Sequence, residues 1–289
     1  MEEPLYSVLI PTHNRAEVLG LAIASVLQQS EQNFEILVVG DGCTDDSASV
    51  VAEFGDDRIR WFDLPKGPGF GYDNRNVALR EARGKLVAFL GHDNLMFPDH
   101  LQRLANPFAN QQVMLAYSRP LWIRDDGVIL PFYVNLNTQP ARNSFMSERN
   151  VLPASVMVYR RSVHDLIGFW PEEILESGDW EFWKRILRAH PDGLRVIRVP
   201  TCLHFRAIWR NPAAWAPPSA RYLSYMRDNS RSFPPALDLK LLPDGGLPQV
   251  QVARRLAQES MALVNAIRNG VEILADVLAW NATLDQNVM

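Results

Sequence analysis

The chain has 289 residues, 47% of them apolar, and a formal net charge of −4. This suits one large domain or two smaller ones with a substantial core, and leaves no basic stretch of the kind that holds nucleic acid. Two cysteines, Cys43 and Cys202, are too few for a disulfide framework and fit a reducing compartment. The acidic start Met1-Glu2-Glu3-Pro4 is unlike a signal peptide, and no apolar run approaches the roughly 20 residues of a membrane span. The expectation is a cytoplasmic protein, with a peripheral membrane contact left open.

Tyr6–Ile10 reads as a buried strand, followed by the loop Pro11-Thr12-His13-Asn14-Arg15. Asn14 is placed to cap a helix over Ala16–Gln29, whose apolar residues recur with helical period. Phe34–Val39 is a second strand, Gly40–Asp46 its loop, Ser47–Phe54 a helix and Arg58–Asp63 a third strand. Such alternation predicts a parallel sheet built from right-handed crossovers. Lys66-Gly67-Pro68-Gly69-Phe70-Gly71 lacks the spacing of nucleotide-binding glycine loops and is expected to be a flexible loop.

Asn74–Ala82 reads as a helix with Arg75 near its start. A guanidinium beside a helix N-terminus suits a diphosphate; a solvated surface arginine is the alternative. Val87–Leu90 is an apolar run that breaks sharply into Gly91-His92-Asp93-Asn94 before Phe97-Pro98. In open α/β sheets ligands gather beyond the carboxyl ends of the strands, which puts Asp93 where a metal or phosphate binds. The same residue types also make ordinary turns.

Further on, Pro98–Phe108 is helical, and Val113–Tyr117 and Pro120–Arg124 read as strands, with a turn at Asp125-Asp126-Gly127. Residues 138–149 give no clear element. Ala154–Tyr159 reads as a strand and Arg161–Ile167 as a short helix. A helix over Asp179–His190 carries acids at its start and bases further along, matching the helix dipole. Arg195–Val199 is a strand that leads into the loop Pro200–Arg206. Composition sets a domain edge at Asn211–Pro218 and a linker at Ser232–Pro248. Beyond it, Gln249–Trp280 is helical with a break at Asn269-Gly270.

Four segments, taken in order, resemble the family 2 glycosyltransferases. Val8–Arg15 is similar to the family's opening strand and loop, and Ile36–Asp45 to its strand followed by Asp-Asp-Gly-Ser-x-Asp. Asn74–Leu79 with Ala82-Arg83-Gly84 resembles its Arg-Asn-x-Gly helix ending in Ala-x-Gly, and Phe89–Pro98 its metal-binding segment. Gly178-Asp179 and His204-Phe205-Arg206 are weaker matches in fitting order. Three positions depart from the pattern. Gly40 replaces the first Asp after the second strand, Gly91 the first Asp of Asp-x-Asp, and Gly178 the Glu of Glu-Asp. A single carboxylate attracts a metal less than two do, so metal affinity is the property most affected.

The resemblance implies an α/β GT-A fold, Rossmann-like, with a mixed and mainly parallel central sheet flanked by helices and a C-terminal helical extension. Residues 1–215 would form the transferase domain, 1–110 for the nucleotide and 111–215 for the acceptor, with 216–289 as linker and helical extension. The implied activity is inverting, hexosyltransferase-type transfer of a sugar from a nucleotide diphosphate, a UDP-sugar first among them, in polysaccharide or glycoconjugate synthesis. The acceptor would be a saccharide or other hydroxyl.

Pro11, Thr12, His13, Asn14, Arg15, Asp41, Arg75, His92 and Asp93 are the nucleotide-binding candidates, His92 with its ring expected to point away. Asp179 is the candidate general base. Mn²⁺ or Mg²⁺, carried largely by the diphosphate, would take Asp93 as ligand. His204 stays open between second ligand and satisfied loop histidine. A homodimer through the C-terminal helices is a further expectation. Two other readings remain: a non-catalytic nucleotide-sugar-binding or scaffold protein with a degenerate metal motif, and a nucleotidyltransferase. The latter would want a Gly-rich basic loop after the first strand, which Pro11–Arg15 lacks.

Overall fold

A computed structural model describes residues 3–132, 134–150, 152–205, 225–228 and 233–275. Strands β1 (Tyr6–Thr12), β2 (Phe34–Asp41), β3 (Ile59–Leu64) and β4 (Leu86–Phe89) alternate with helices α1 (Ala16–Leu27), α2 (Ser47–Ala52) and α3 (Tyr72–Arg80). There follow β5 (Leu95–Met96), α4 (His100–Ala105), β6 (Leu115–Ile123), β7 (Ile129–Pro131), α5 (Gln139–Ser147) and β8 (Met157–Arg160). Then come α6 (His164–Ile167), α7 (Gly178–Ala189), β9 (Leu194–Phe205) and a C-terminal helix, Pro248–Ile273.

The strands form one nine-stranded sheet in the order β3-β2-β1-β4-β8-β6-β9-β5, with β7 on β6. β1 pairs in parallel with β2 and β4, β2 with β3, and β6 with β9. β8 enters antiparallel between β4 and β6. The sheet is therefore mixed and mainly parallel. β1 and β2 are buried at nearly every position, because helices cover both faces of the sheet; this is why they read as apolar runs, broken only at Ser7 and Glu35, which hydrogen-bond to each other. The parallel strands all end on one side, and Thr12, Asp41 and the Gly91–Asn94 turn come together there.

Several local expectations are corrected. Asn14 does not cap α1. Its φ of 49° swings the side chain to the neighbouring loop, where Oδ1 accepts the N–H groups of Thr44 and Asp45. Asp45 takes over at the helix, its Oδ2 accepting Ala16 N–H at 2.9 Å. Pro11 and Thr12 belong to β1 rather than to the loop. The two expected strands on either side of Ser118-Arg119 are one strand, β6, whose ladder with β9 shifts register between Ser118 and Leu121. Pro120 lies in that irregular stretch, which needs no N–H from it. β9 likewise runs through Pro200 to Phe205, so His204 is on a strand and not in a loop. Residues 139–147, unassigned by sequence, are helical as α5.

A second apolar core lies at the far end of the sheet. Leu95, Leu121, Leu203 and Phe205 pack there on Phe233, Leu237 and Leu239 and on Val252, Leu263, Val264 and Ile267 of the C-terminal helix. The described part of the linker-like stretch is thus packed, and Val128 bridges Asp238 in strand fashion. The C-terminal helix breaks at Ser260 (φ 45°, ψ −125°) and continues through Asn269-Gly270. Gly270 serves close approach instead of termination: a Cβ there would meet Leu237 at 3.0 Å and Pro234 at 3.2 Å. The expected domain edge at Asn211–Pro218, Arg206 and Trp280 lie outside the described residues.

Candidate functional site

Asp41 ends β2 and is buried. Oδ1 accepts the Gly67 N–H and the Asn74 side-chain amide, each at 2.7 Å, and Oδ2 accepts Lys66 Nζ at 2.7 Å. Burial alone would raise its pKa, but these three donors outweigh it and hold the carboxyl below its ordinary value. The Lys66–Gly71 stretch is therefore tied down at this end instead of being a free loop. It is tied at the other end too, where Phe70 N–H donates to Leu175 O at 3.0 Å. Nearby, His13 Nδ1 lies 2.7 Å from Asp41 O, and Cys43 Sγ lies 3.6 Å from Thr12 O. Arg15 precedes α1 and pairs loosely with Glu17 at 3.6 Å.

Arg75 sits one turn into α3 and is not a solvated surface side chain. Its guanidinium lies over the rings of Tyr72 at 4.7 Å, Trp170 at 5.4 Å and Phe89 at 5.5 Å. Its Nε is buried with no hydrogen-bond partner. Burial lowers its pKa, while the charges of Asp179 and Asp41 and the Tyr72 phenol oppose that shift. A guanidinium held on aromatic faces, with a donor left over, is prepared to meet an anion.

Beyond β4, the His92 ring turns back to Pro11, with Nδ1 3.2 Å from its carbonyl oxygen. Burial lowers the His92 pKa against the pull of Asp93. Asn94 fixes the turn: its amide donates to Ser155 Oγ at 2.8 Å and its Oδ1 accepts Phe205 N–H at 3.0 Å. β9 runs antiparallel to β5 here, pairing Leu203 with Leu95 and Cys202 with Met96. His204 is thereby brought to the same end of the sheet as Asp93. Its ring stands edge-on to Trp122 at 4.1 Å. Leu203 and Phe205 face the second core and Cys202 the first, so His204 shares the face of Cys202. Burial, and then the Asp93 charge, push the Cys202 thiol well above its usual range.

Asp179 lies in the first turn of α7, half-buried, with Asn150 Nδ2 3.4 Å from its Oδ2. Glu181, the other acid in that turn, is occupied by Lys184 at 2.9 Å and Arg188 at 2.8 Å. Trp183 is fully buried, and Trp180 donates its indole N–H to Phe145 O at 2.7 Å.

The three thinned acidic positions share one feature. A Cβ at Gly40 would run into the Trp61 ring. One at Gly91 would lie 2.5 Å from the fixed Asn94 amide, and one at Gly178 2.7 Å from Tyr72 Cε2. In each case a neighbouring side chain fills the space an acid would need. Sequence reasoning missed Lys66, Tyr72, Asn74 and Trp170. Asn74 belongs to the quoted motif and Tyr72 lies two residues before it, a signal that could have found them; Lys66 stands in the loop before that motif, and Trp170 comes from far along the chain and leaves none.

As for a cation, no group of three His, Cys, Asp or Glu side chains able to hold a metal occurs among the described residues. What the chain supplies is one carboxylate, Asp93, with the His204 imidazole at the same sheet end. That donor set fits a hard cation whose shell is completed by phosphate oxygens and water, and does not fit a protein-caged one.

The sequence model described as Glycosyl transferase family 2 matches residues 7–168. An uncharacterized glycosyltransferase of Rickettsia felis is 27% identical over 202 residues, covering 65% of this chain and 32% of that protein. The UDP-Glc:alpha-D-GlcNAc-diphosphoundecaprenol beta-1,3-glucosyltransferase WfgD of Escherichia coli is 28% identical over 132 residues, covering 46% of this chain and 52% of that protein. The chain thus spans about a third to a half of these relatives' length.

Among solved structures, S. aureus TarS 1–349 in complex with UDP-GlcNAc matches with a TM-score of 0.57 at 17% identity, covering 94% of this chain and 83% of that one. The mannosyltransferase PcManGT from Pyrobaculum calidifontis, in complex with GDP-Man and Mn²⁺, matches with a TM-score of 0.52 at 17% identity, covering 98% and 81%. At these identities the likeness concerns the fold, which is GT-A.

Proposed function

The chain belongs to glycosyl transferase family 2, and we propose on that premise that it moves a sugar from a nucleotide diphosphate to an acceptor hydroxyl with inversion. The observation that carries this reading is Arg75, held on three aromatic faces with an unpartnered buried Nε and within the fields of both Asp41 and Asp179. A diphosphate leaving group placed beside Arg75 would lie between the nucleoside end and the base end of the site. A UDP-sugar is the favoured donor, supported by the UDP-GlcNAc held by TarS and the UDP-Glc named for the Escherichia coli relative. The GDP-Man neighbour keeps a guanosine donor in the test.

In this reading Asp179 takes the acceptor O–H proton as the new bond to the anomeric carbon forms. The bond from that carbon to the diphosphate oxygen breaks on the opposite face, and its electron pair leaves with the nucleoside diphosphate. Arg75 holds that growing charge. Asp93, with His204 as the second candidate, would hold Mn²⁺ or Mg²⁺, which supplies further neutralisation of the diphosphate when bound. Asp41 and the Pro11–Arg15 segment would line the base and ribose.

The products belong to polysaccharide or glycoconjugate synthesis, and the acceptor to the saccharides or other hydroxyl compounds. The division into residues 1–215 and an extension over 216–289, a dimer through the C-terminal helices and a cytoplasmic site of action complete the reading. Among the described residues no helix is long and apolar enough to cross a membrane.

The thinned carboxylates favour a second reading, a non-catalytic nucleotide-sugar binder. Turnover separates the two. UDP-, dTDP- and GDP-sugars are incubated with a panel of saccharide acceptors and Mn²⁺, using the wild type and Asp179→Asn. The enzyme reading expects transfer by the wild type and a loss of roughly 10²-fold or more in the variant, with nucleotide affinity nearly unchanged. Binding without turnover by the wild type would establish the binder instead.

A further inference from the structure

Two helices begin against one another at the base end of the site. α3 opens with Tyr72 and α7 with Gly178. The Tyr72 ring is buried and lies so close that any Cβ at 178 would come within 2.7–3.0 Å of three of its carbons. Burial, and then the Asp179 charge, raise the Tyr72 pKa, while the Arg75 charge and the backbone N–H groups of Gly178 and Asp179, which face the phenol oxygen, oppose that rise. Those are first-turn donors of α7, and Ser177, the residue before them, makes no side-chain cap; it sits at φ 62°. With the ring packed on Gly178, the Tyr72 hydroxyl is the group placed to serve α7 as an N-cap side chain ordinarily would.

The other face of the same ring set controls Arg75. The guanidinium rests over Tyr72 at 4.7 Å, and Tyr72 leans on Trp170 with centroids 5.7 Å apart. Immediately before it, Gly71 closes on Asp41: a Cβ there would lie 2.6 Å from Asp41 Oδ2. One short segment thus touches the nucleoside-side carboxylate, the arginine and the turn that carries Asp179.

We propose that Tyr72 is the positioning residue of this site, its ring filling the space of a side chain at 178 and its hydroxyl capping α7, so that one residue aims both Asp179 and Arg75. Tyr72 and Gly178 are then a matched pair, and the glycine found where the family carries Glu is the partner that the tyrosine requires. The inference rests on the reading of Asp179 as the base.

The test uses the fastest donor–acceptor pair from the nucleotide-sugar and saccharide panel, with rates expressed per folded enzyme and UDP affinity measured by calorimetry. Tyr72→Phe keeps the ring and removes the cap. It is expected to lower kcat about tenfold with the UDP Kd within about twofold of wild type. Gly178→Ala forces the ring away and should lower kcat by more. In the Tyr72→Ala background the Gly178→Ala change should cost much less, because the clash is gone.

Wild-type kcat in Tyr72→Phe, or strictly multiplicative effects of Tyr72→Ala and Gly178→Ala, would overturn the proposal, since a purely structural residue would alter stability without this pattern. Asp179→Asn, measured alongside, keeps the two readings apart. Full turnover in Asp179→Asn removes the base itself. Loss of turnover there with none in Tyr72→Phe removes only the positioning role.

Discussion

Asp99, just before α4, accepts both terminal nitrogens of Arg268 from the C-terminal helix, at 2.9 and 2.7 Å. Both side chains are nearly inaccessible, at 12% and 10% exposed, and the Arg268 guanidinium also donates to Pro200 O at 3.1 Å. Arg103 Nε shares Asp99 Oδ2 at 2.5 Å. The planar fork of arginine suits this bidentate site, and lysine could not reproduce it. The pair ties the tail to the sheet at a point between the two cores.

Removing Arg268 leaves a buried carboxylate with Arg103 alone. Arg268→Ala is therefore expected to cost about 3 kcal/mol, the range for breaking one side of a buried pair. Arg268→Lys should recover only part of that. Urea denaturation of the three proteins, followed by intrinsic tryptophan fluorescence, measures it; a loss under about 0.5 kcal/mol in Arg268→Ala would show that the tail is not anchored here.

Asp41 is expected to govern nucleotide choice. Its carboxylate accepts three donors and by its lone pairs can take a fourth; the N3–H of uracil is such a donor, absent from cytosine. UDP should bind more tightly than CDP, and Asp41→Ala should erase that preference and release the Lys66–Gly71 loop. Isothermal calorimetry with both nucleotides reads the difference; equal affinities in the wild type would take base recognition away from Asp41. A thymidine nucleotide also offers N3–H and belongs in the same series.

Metal affinity should depend on the nucleotide. With Gly91 confined by Asn94, the free chain presents Asp93 and few other donors, so Mn²⁺ should bind weakly alone and roughly tenfold or more tightly with UDP present. Asp93→Asn should abolish that gain. Electron paramagnetic resonance of free Mn²⁺ counts the bound ion directly. Tight binding without UDP, unaffected by Asp93→Asn, would move the cation elsewhere.

His100 gives the fold an acid-sensitive point. It is fully buried, and burial pushes its pKa down to about 4, while the unfolded side chain titrates near 6.5. Between those values the unfolded chain binds a proton that the folded one refuses, so this contribution is fully present above about pH 6.5 and is lost as pH falls toward 4. The drop is on the order of 3 kcal/mol over that window. His92 and His164, also lowered by burial, act in the same direction. Stability of wild type and His100→Gln, measured at pH 7 and pH 5, should differ in slope; parallel pH profiles would show that His100 is not responsible.

Much of the fold was legible because its signals are local. Tyr6–Ile10, Phe34–Val39 and Val87–Leu90 are short, mostly apolar runs, and strands covered on both faces need nothing more elaborate to declare themselves. Asp93, past a strand, and Arg75, near a helix start, stand where the backbone concentrates ligand-binding groups, but ordinary turn and surface roles fit them equally, and Asp41 and Asp179 become site candidates only through the family resemblance. What tertiary structure decided is which neighbour occupies each remaining space. Trp61 closes the position beside Gly40, Asn94 the one beside Gly91 and Tyr72 the one beside Gly178. Asp45 rather than Asn14 caps α1, and a proline-rich stretch that looked like a linker lies in a core. These outcomes depend on contacts between residues tens to more than a hundred positions apart; even Asn94, three residues from Gly91, is held in place by Ser155 and Phe205. Periodicity and turn propensity describe a residue's own segment and carry no record of what that segment will be packed against.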